Sequence, residues 1–211
     1  MVSMKRGLLG FALGLAACTT PIETQDLALR STGPLLKFAL VQLQVADRVR
    51  GAQPERDENR PSQLVTARLL GAFDRHRTFE LVSSAEVVTA LGRDVASSPA
   101  DRVRACGRLS QTFGVQGILF GTVERFQQRV GGERGVTRPA AVRFRLELRS
   151  RTGEVIWRGL YDEAQQSLAA DPRSLQRVRE RDFRWVTAEE LARYGARELV
   201  LALPGGPETF K

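Results

Sequence analysis

Few groups in this chain could do covalent or proton chemistry: the thiols of Cys18 and Cys106, the imidazole of His76 and some neighbouring carboxylates. Cys18 follows Leu15-Ala16-Ala17, so its sulfur sits beside a peptide bond flanked by small residues. One histidine excludes His-pair metal sites and leaves a single base for any Ser-His-Asp arrangement. His76 lies between Arg75 and Arg77 and reads as a surface residue at a helix end. Asp162 and Glu163 are adjacent in a strand pattern, so their side chains point to opposite faces and do not pair for acid–base work. Asp57/Glu58 and Glu189/Glu190 read as solvated or capping groups. Gly131, Gly132 and Gly135 lack the lysine and hydroxyl residue of a phosphate cradle, so a hairpin turn is the better reading. No catalytic residue, metal site or cofactor is expected, and the chain reads as a non-enzyme.

The layout around Cys18 explains its neighbours. Met4-Lys5-Arg6 is a short basic start, Gly7 to Ala17 is uncharged and mostly apolar, and small residues precede the cysteine. This is the pattern of a secretory leader. The run is about half of the roughly 20 residues that span a bilayer as a helix. Leu15-Ala16-Ala17-Cys18 resembles the bacterial lipobox. That resemblance implies a diacylglycerol on the Cys18 sulfur, removal of residues 1–17 and an acyl chain on the new amine. An ordinary leader cut at Ala-x-Ala, with an incidental cysteine, is the other reading. Thr19 and Thr20 follow where lipoproteins of the inner membrane often carry Asp, so the family rule implies sorting to the outer membrane, facing the periplasm.

Beyond the leader the chain is long enough for one well-packed domain. A hydrophobic content of 42% and a charged content of 27% are those of a globular protein. The formal charge of +8 favours acidic partners such as headgroups, lipopolysaccharide or wall polymers. Nucleic acid is not expected as a partner of an exported chain. With Cys18 lipidated, Cys106 stands alone and no disulfide forms within the chain; its spacing from Val103, Leu109 and Phe113 makes it a small buried residue of a helix.

Residues 18–36 read as a lipidated cysteine and flexible tether. Residues 37–45 read as a central strand, 46–60 as a loop, and Pro61 to Phe73 as a helix with proline in its first turn. A short strand at 78–82 precedes a helix capped by Ser83 or Ser84, and a further helix runs from Pro99 to Phe113. Three long segments, 115–129, 140–149 and 154–162, turn to period two and predict an antiparallel meander, apolar on one face and arginine-rich on the other. Residues 169–185 are charged and irregular. Thr187 and Glu190 form a capping box for a last helix, and 204–211 reads as a frayed tail. The fold class expected is α+β: a single domain over 37–203, its mixed β-sheet ending in the meander, its helices packed mainly on one face.

Several stretches together resemble a superfamily of bacterial envelope proteins that includes the curli-secretion lipoprotein CsgG, the penicillin-binding-protein activator LpoB and the amino-terminal domain of TolB. They are Phe38-Ala39-Leu40-Val41, Leu69 to Phe73, Phe79 to Ser83, Phe113 to Val123 and Thr152-Gly153-Glu154-Val155-Ile156-Trp157. The resemblance implies a non-enzymatic domain that binds another envelope protein in assembly, secretion or cell-wall regulation, and that often self-associates. The alternative is an oligomeric subunit of a CsgG-like export channel. Membrane hairpins of such a pore need about 9–11 alternating residues per strand. The loop at 129–138 is short and polar, and 46–60 lacks apolar alternation, so a pore is not expected.

Arg143, Arg145, Arg149 and Arg158 fall on the polar sheet face with Arg125 and Arg129. That face reads either as a solvated surface that resists edge-to-edge aggregation or as a docking surface for an acidic partner. Arg143, Arg145, Arg158 and Trp185 are the candidate partner-binding residues. Trp157 reads as core or cross-strand packing; Trp185, between Arg184 and Val186, reads either as packing or as an interface anchor. We predict that the amino-terminal peptide from the membrane fraction starts at Cys18 and carries acyl mass, and that a Cys18→Ser chain loses both. An unmodified cut elsewhere would remove the anchor.

Overall fold

Strands that alternate strictly must present two different faces, and the meander does so. The structure, a computed structural model, describes residues 21–27, 37–47, 59–75, 79–92, 98–166, 179 and 181–204. In chain order the strands are β1 (Ile22–Asp26), β2 (Lys37–Leu40), β3 (Gln44–Val45), β4 (Glu80–Val82), β5 (Gly117–Gln127), β6 (Val130–Gly131), β7 (Val136–Arg138), β8 (Ala141–Ser150) and β9 (Val155–Ala164). The helices among the described residues are α1 (Arg60–Arg75), α2 (Ser84–Leu91), α3 (Pro99–Phe113) and α4 (Ala188–Leu201). Seven strands form one sheet in the order β1-β9-β8-β5-β2-β4, with β3 also on β5; β6 and β7 form a separate hairpin. The pairings of β2 with β4 and β5 are parallel, whereas β5, β8, β9 and β1 pair antiparallel. This is an α+β domain with a mixed sheet and a carboxy-terminal meander, as the periodicity indicated.

Phe144, Leu146 and Leu148 of β8 and Trp157 and Tyr161 of β9 bury against one layer of helices, formed by α1 and α4. Ala39, Ile118 and Phe120 face the other way and meet Val87 of α2 and Cys106 and Leu109 of α3. That second layer covers the β2–β5 half of the sheet and leaves the charged side of β8, β9 and β1 uncapped by helix among the described residues. Local chemistry sets the helix starts. Ser83 with Glu86, Ser98 with Asp101 and Thr187 with Glu190 each form a reciprocal capping box, and Pro99 occupies the first turn of α3. Cys106 is fully buried, which pushes its thiol pKa up to about 11.

Two expectations need correction. Within the segment read as a flexible tether, residues 22–26 form β1, an edge strand in register with β9 from Ile22↔Tyr161 to Asp26↔Trp157. The Pro21 carbonyl accepts a hydrogen bond from the Asp162 N–H (2.8 Å), and the Leu27 N–H donates to the Ile156 carbonyl (3.0 Å). Backbone pairing, rather than an apolar stripe, holds this strand. The strand read at 37–45 also breaks after Leu40 and resumes at Gln44; between them the Leu43 N–H donates to Thr66 Oγ1 of α1 (3.1 Å). The readings of residues 1–17, of Cys18, of the loop at 48–58 with Asp57/Glu58, of His76 and of the tail from 205 lie outside the described residues.

α4 lies tight against the sheet at Gly195, where a Cβ would stand 2.4 Å from Tyr161 Cδ1. Alanine favours a helix over glycine by about 1 kcal/mol, but overpacking a filled core costs about 1–3 kcal/mol. Tyr161 cannot swing aside, because its hydroxyl donates to Glu163 at 2.6 Å and its ring is buried. Gly195→Ala should therefore destabilise the domain in urea unfolding; a gain in midpoint would show that the ring gives way.

Candidate partner-binding cleft

β8 places Arg143, Arg145, Glu147 and Arg149 on one face, and β9 adds Arg158 and Asp162 beside them. β5 contributes Glu124 and Arg125, and α3 brings Arg102 over the Phe120 ring at 5.7 Å. Six guanidinium groups thus converge on three carboxylates. Arg143 Nε donates to Glu124 (2.8 Å) and its Nη1 to Asp162 (2.6 Å); Arg145 pairs with Glu124 and Arg125 with Asp162. Glu147 receives Arg102 (3.2 Å), Arg149 (2.8 Å) and Arg158 (3.6 Å). Glu23 of β1 adds a carboxylate at the rim, and the face encloses a cleft of about 400 Å³ that is also lined by Gln25 and Thr122. Cations still outnumber anions. Arginines accept no protons and so offer no base; their N–H forks suit a carboxylate or phosphate ligand.

The three candidate arginines share this face but differ in what they can offer. Arg143 spends its donors between Glu124 and Asp162, with the Glu124 carboxylate only 5% exposed, so it centres the network. Arg145 and Arg158 are 59% and 53% exposed, so more than half of each side chain remains open to solvent. Trp185 lies elsewhere: its N–H donates to the Glu133 carbonyl (2.9 Å) and its carbonyl accepts from Arg129. Trp157 is fully buried, with its ring over Gly159.

The opposite face of β9 carries a group that periodicity did not reveal. Glu163 is buried and accepts both forks of the buried Arg181 (2.6 and 2.9 Å) and the Tyr161 hydroxyl (2.6 Å). Burial alone would lower the Arg181 pKa, but the Glu163 hydrogen bond and charge outweigh it and raise the value. Arg181 also lies over the Tyr194 ring at 4.7 Å. It anchors a turn in which Asp182 and Phe183 have φ of 54° and 55°. Left-handed backbone costs a non-glycine residue about 1–3 kcal/mol. Hydrogen bonds from the Asp182 N–H to the Arg179 carbonyl and from the Arg184 N–H to the Arg181 carbonyl hold it. Phe183 is thereby displayed 62% exposed. The sequence signal was weak: Arg181 sits in a run of charges, and its partner lies 18 residues earlier on a strand.

No family model matches this chain, and no curated protein matches it. Solved structures are similar to it. The PelC dodecamer from Paraburkholderia phytofirmans gives a TM-score of 0.48 at 10% identity, covering 85% of this chain and 94% of that one. Lipoprotein GNA1162 from Neisseria meningitidis gives 0.39 at 18% identity over 70% of this chain and 93% of that one. The LpoB C-terminal domain from Salmonella enterica gives 0.38 at 16% identity over 64% and 87% respectively. Bacterial lipoproteins are thus among the solved structures of similar chain path. At these scores the likeness is loose and says nothing of partners.

Glu190 links the turn to α4. Burial opposes its charge, but the Arg184 guanidinium at 2.6 Å and the Thr187 backbone N–H at 2.8 Å outweigh that and lower its pKa from 4.5 to about 2. A depressed folded pKa stabilises the fold above the unfolded value, and the gain fades as pH falls through the folded one. Glu190→Gln should lower the urea midpoint at neutral pH and converge with the parent chain as pH drops from about 4.5 to about 2. Parallel curves across that window would remove Glu190 from the balance.

Proposed function

We propose that this chain is an exported, lipid-anchored outer-membrane lipoprotein of the CsgG/LpoB/TolB-like superfamily. Its periplasm-facing domain binds an acidic surface of another envelope protein in assembly, secretion or cell-wall regulation. One observation carries the binding role: Arg102, Arg143, Arg145 and Arg158 line an open cleft against Glu147 and Glu23, and Arg145 and Arg158 are more than half exposed. Surplus cations in a concave site concentrate field and draw anionic partners at rates that fall with salt. The arrangement holds carboxylates between guanidinium groups rather than beside a nucleophile, which suits recognition. The Leu15-Ala16-Ala17-Cys18 sequence supports the anchor, with diacylglycerol and an acyl chain on Cys18 as its only attached groups.

Neutralising Arg145 and Arg158 together (Arg145→Gln, Arg158→Gln) tests the cleft without unpairing buried Glu124, which keeps Arg143. In-membrane cross-linking from the cleft rim should lose the partner adduct at least roughly tenfold, the loss matching that caused by high salt. Unchanged cross-linking, with unfolding midpoints also unchanged, would sink the cleft as the docking site. Native mass measurement on the same samples separates a monomeric binder from a ring-forming subunit.

A further inference from the structure

The start of β1 fixes where an anchor on Cys18 must emerge. Pro21 is hydrogen-bonded to Asp162 near the end of β9. Three residue-to-residue steps join Cys18 to Pro21, a reach of about 11 Å at full extension. The anchor therefore leaves from one end of the sheet: the end where β1 begins, β5 and β9 finish and β8 starts.

The rest of that end is unusual for a protein surface. Gln165 ties it together, donating to the Arg184 carbonyl (3.0 Å) and accepting from the Val186 N–H (2.8 Å). The β6–β7 hairpin joins through the Trp185–Glu133 hydrogen bond and the Arg184–Glu133 pair at 3.8 Å. On this surface stand two of the few exposed large apolar side chains among the described residues, Phe183 and Val130. The segments that carry them, 129–138 and 179–184, also hold Arg129, Arg134, Arg138, Arg179 and Arg184, against the carboxylates of Glu133 and Asp182. Apolar tips on arginine-rich segments suit a headgroup layer, where rings sit at the acyl boundary and cations meet phosphates.

We propose that this sheet end, with Phe183 and Val130 at its tips, lies directly on the anionic phospholipid headgroups of the membrane that holds Cys18. The proposal rests on the lipid anchor read above. The acyl chains supply the attachment and the basic, apolar end sets the orientation. The domain thus stands on the bilayer rather than drifting on a long tether, with its β8–β9 turn pointing away.

The test uses the mature lipidated chain in vesicles of phosphatidylethanolamine and phosphatidylglycerol. Nitroxide labels go on Phe183→Cys, Val130→Cys and, as the far-side control, Val103→Cys. Val103 is exposed and packs against Gly153 in the β8–β9 turn. Native Cys106 is buried and stays unlabelled. Relaxation by headgroup-bound paramagnetic lipid should be several-fold stronger at positions 183 and 130 than at 103. Equal relaxation at all three, in a chain whose Cys18 carries acyl mass, overturns the orientation and leaves the anchor standing. Protection of position 183 only in native membranes, not in vesicles, overturns it in favour of a protein contact. Absence of acyl mass on Cys18 removes both the anchor and the orientation.

Discussion

Period two is the constraint on which this molecule depends. A strand has only two faces, and β8 gives one to Phe144, Leu146 and Leu148 and the other to Arg143, Arg145, Glu147 and Arg149. The apolar face recruits α1 and α4. The charged face is then left with arginines that must be satisfied where they stand, and Glu124, Glu147 and Asp162 do this from three different strands. A register slip of one residue would put guanidinium groups into the core and phenylalanine into water. Core and cleft are two outcomes of one pattern.

Much of this was legible. Alternation over 140–149 and 154–162 reported both strands and their faces, and Asp162 and Glu163 separate across the sheet as adjacent residues must. The capping box at Thr187 was readable because Glu190 lies three residues away; at α2 the sequence left Ser83 and Ser84 open, and Ser83 with Glu86 forms the cap. β1 was not readable, since Ile22-Glu23-Thr24-Gln25-Asp26 carries one apolar side chain and owes its state to backbone bonds with β9. Of the charged face, the sheet arginines were visible, but Arg102, reaching in from α3, was not, and Arg129 instead donates to the Trp185 carbonyl. The arginines' partners were only partly visible, because Glu124 meets Arg143 through sheet neighbourhood rather than sequence spacing. The Arg181–Glu163 pair escaped for the same reason.

The two charged assemblies on β9 differ in kind. On the open face Arg145 and Arg158 are more than half exposed, so their ion pairs contribute little to stability and their charge remains available to a ligand. On the core face the Arg181–Glu163 pair is out of water and ligated by Tyr161, so losing one partner would strand a buried charge at about 3–5 kcal/mol. The first suits recognition; the second fixes the geometry of the turn that displays Phe183.

Ile22 of β1 pairs with Tyr161 of β9, the longest-range strand pairing among the described residues. β1 has no edge to join until β9 has been made and placed. β1 therefore closes the antiparallel side of the sheet last, and the order in which the strands are synthesised is not the order in which they can pair.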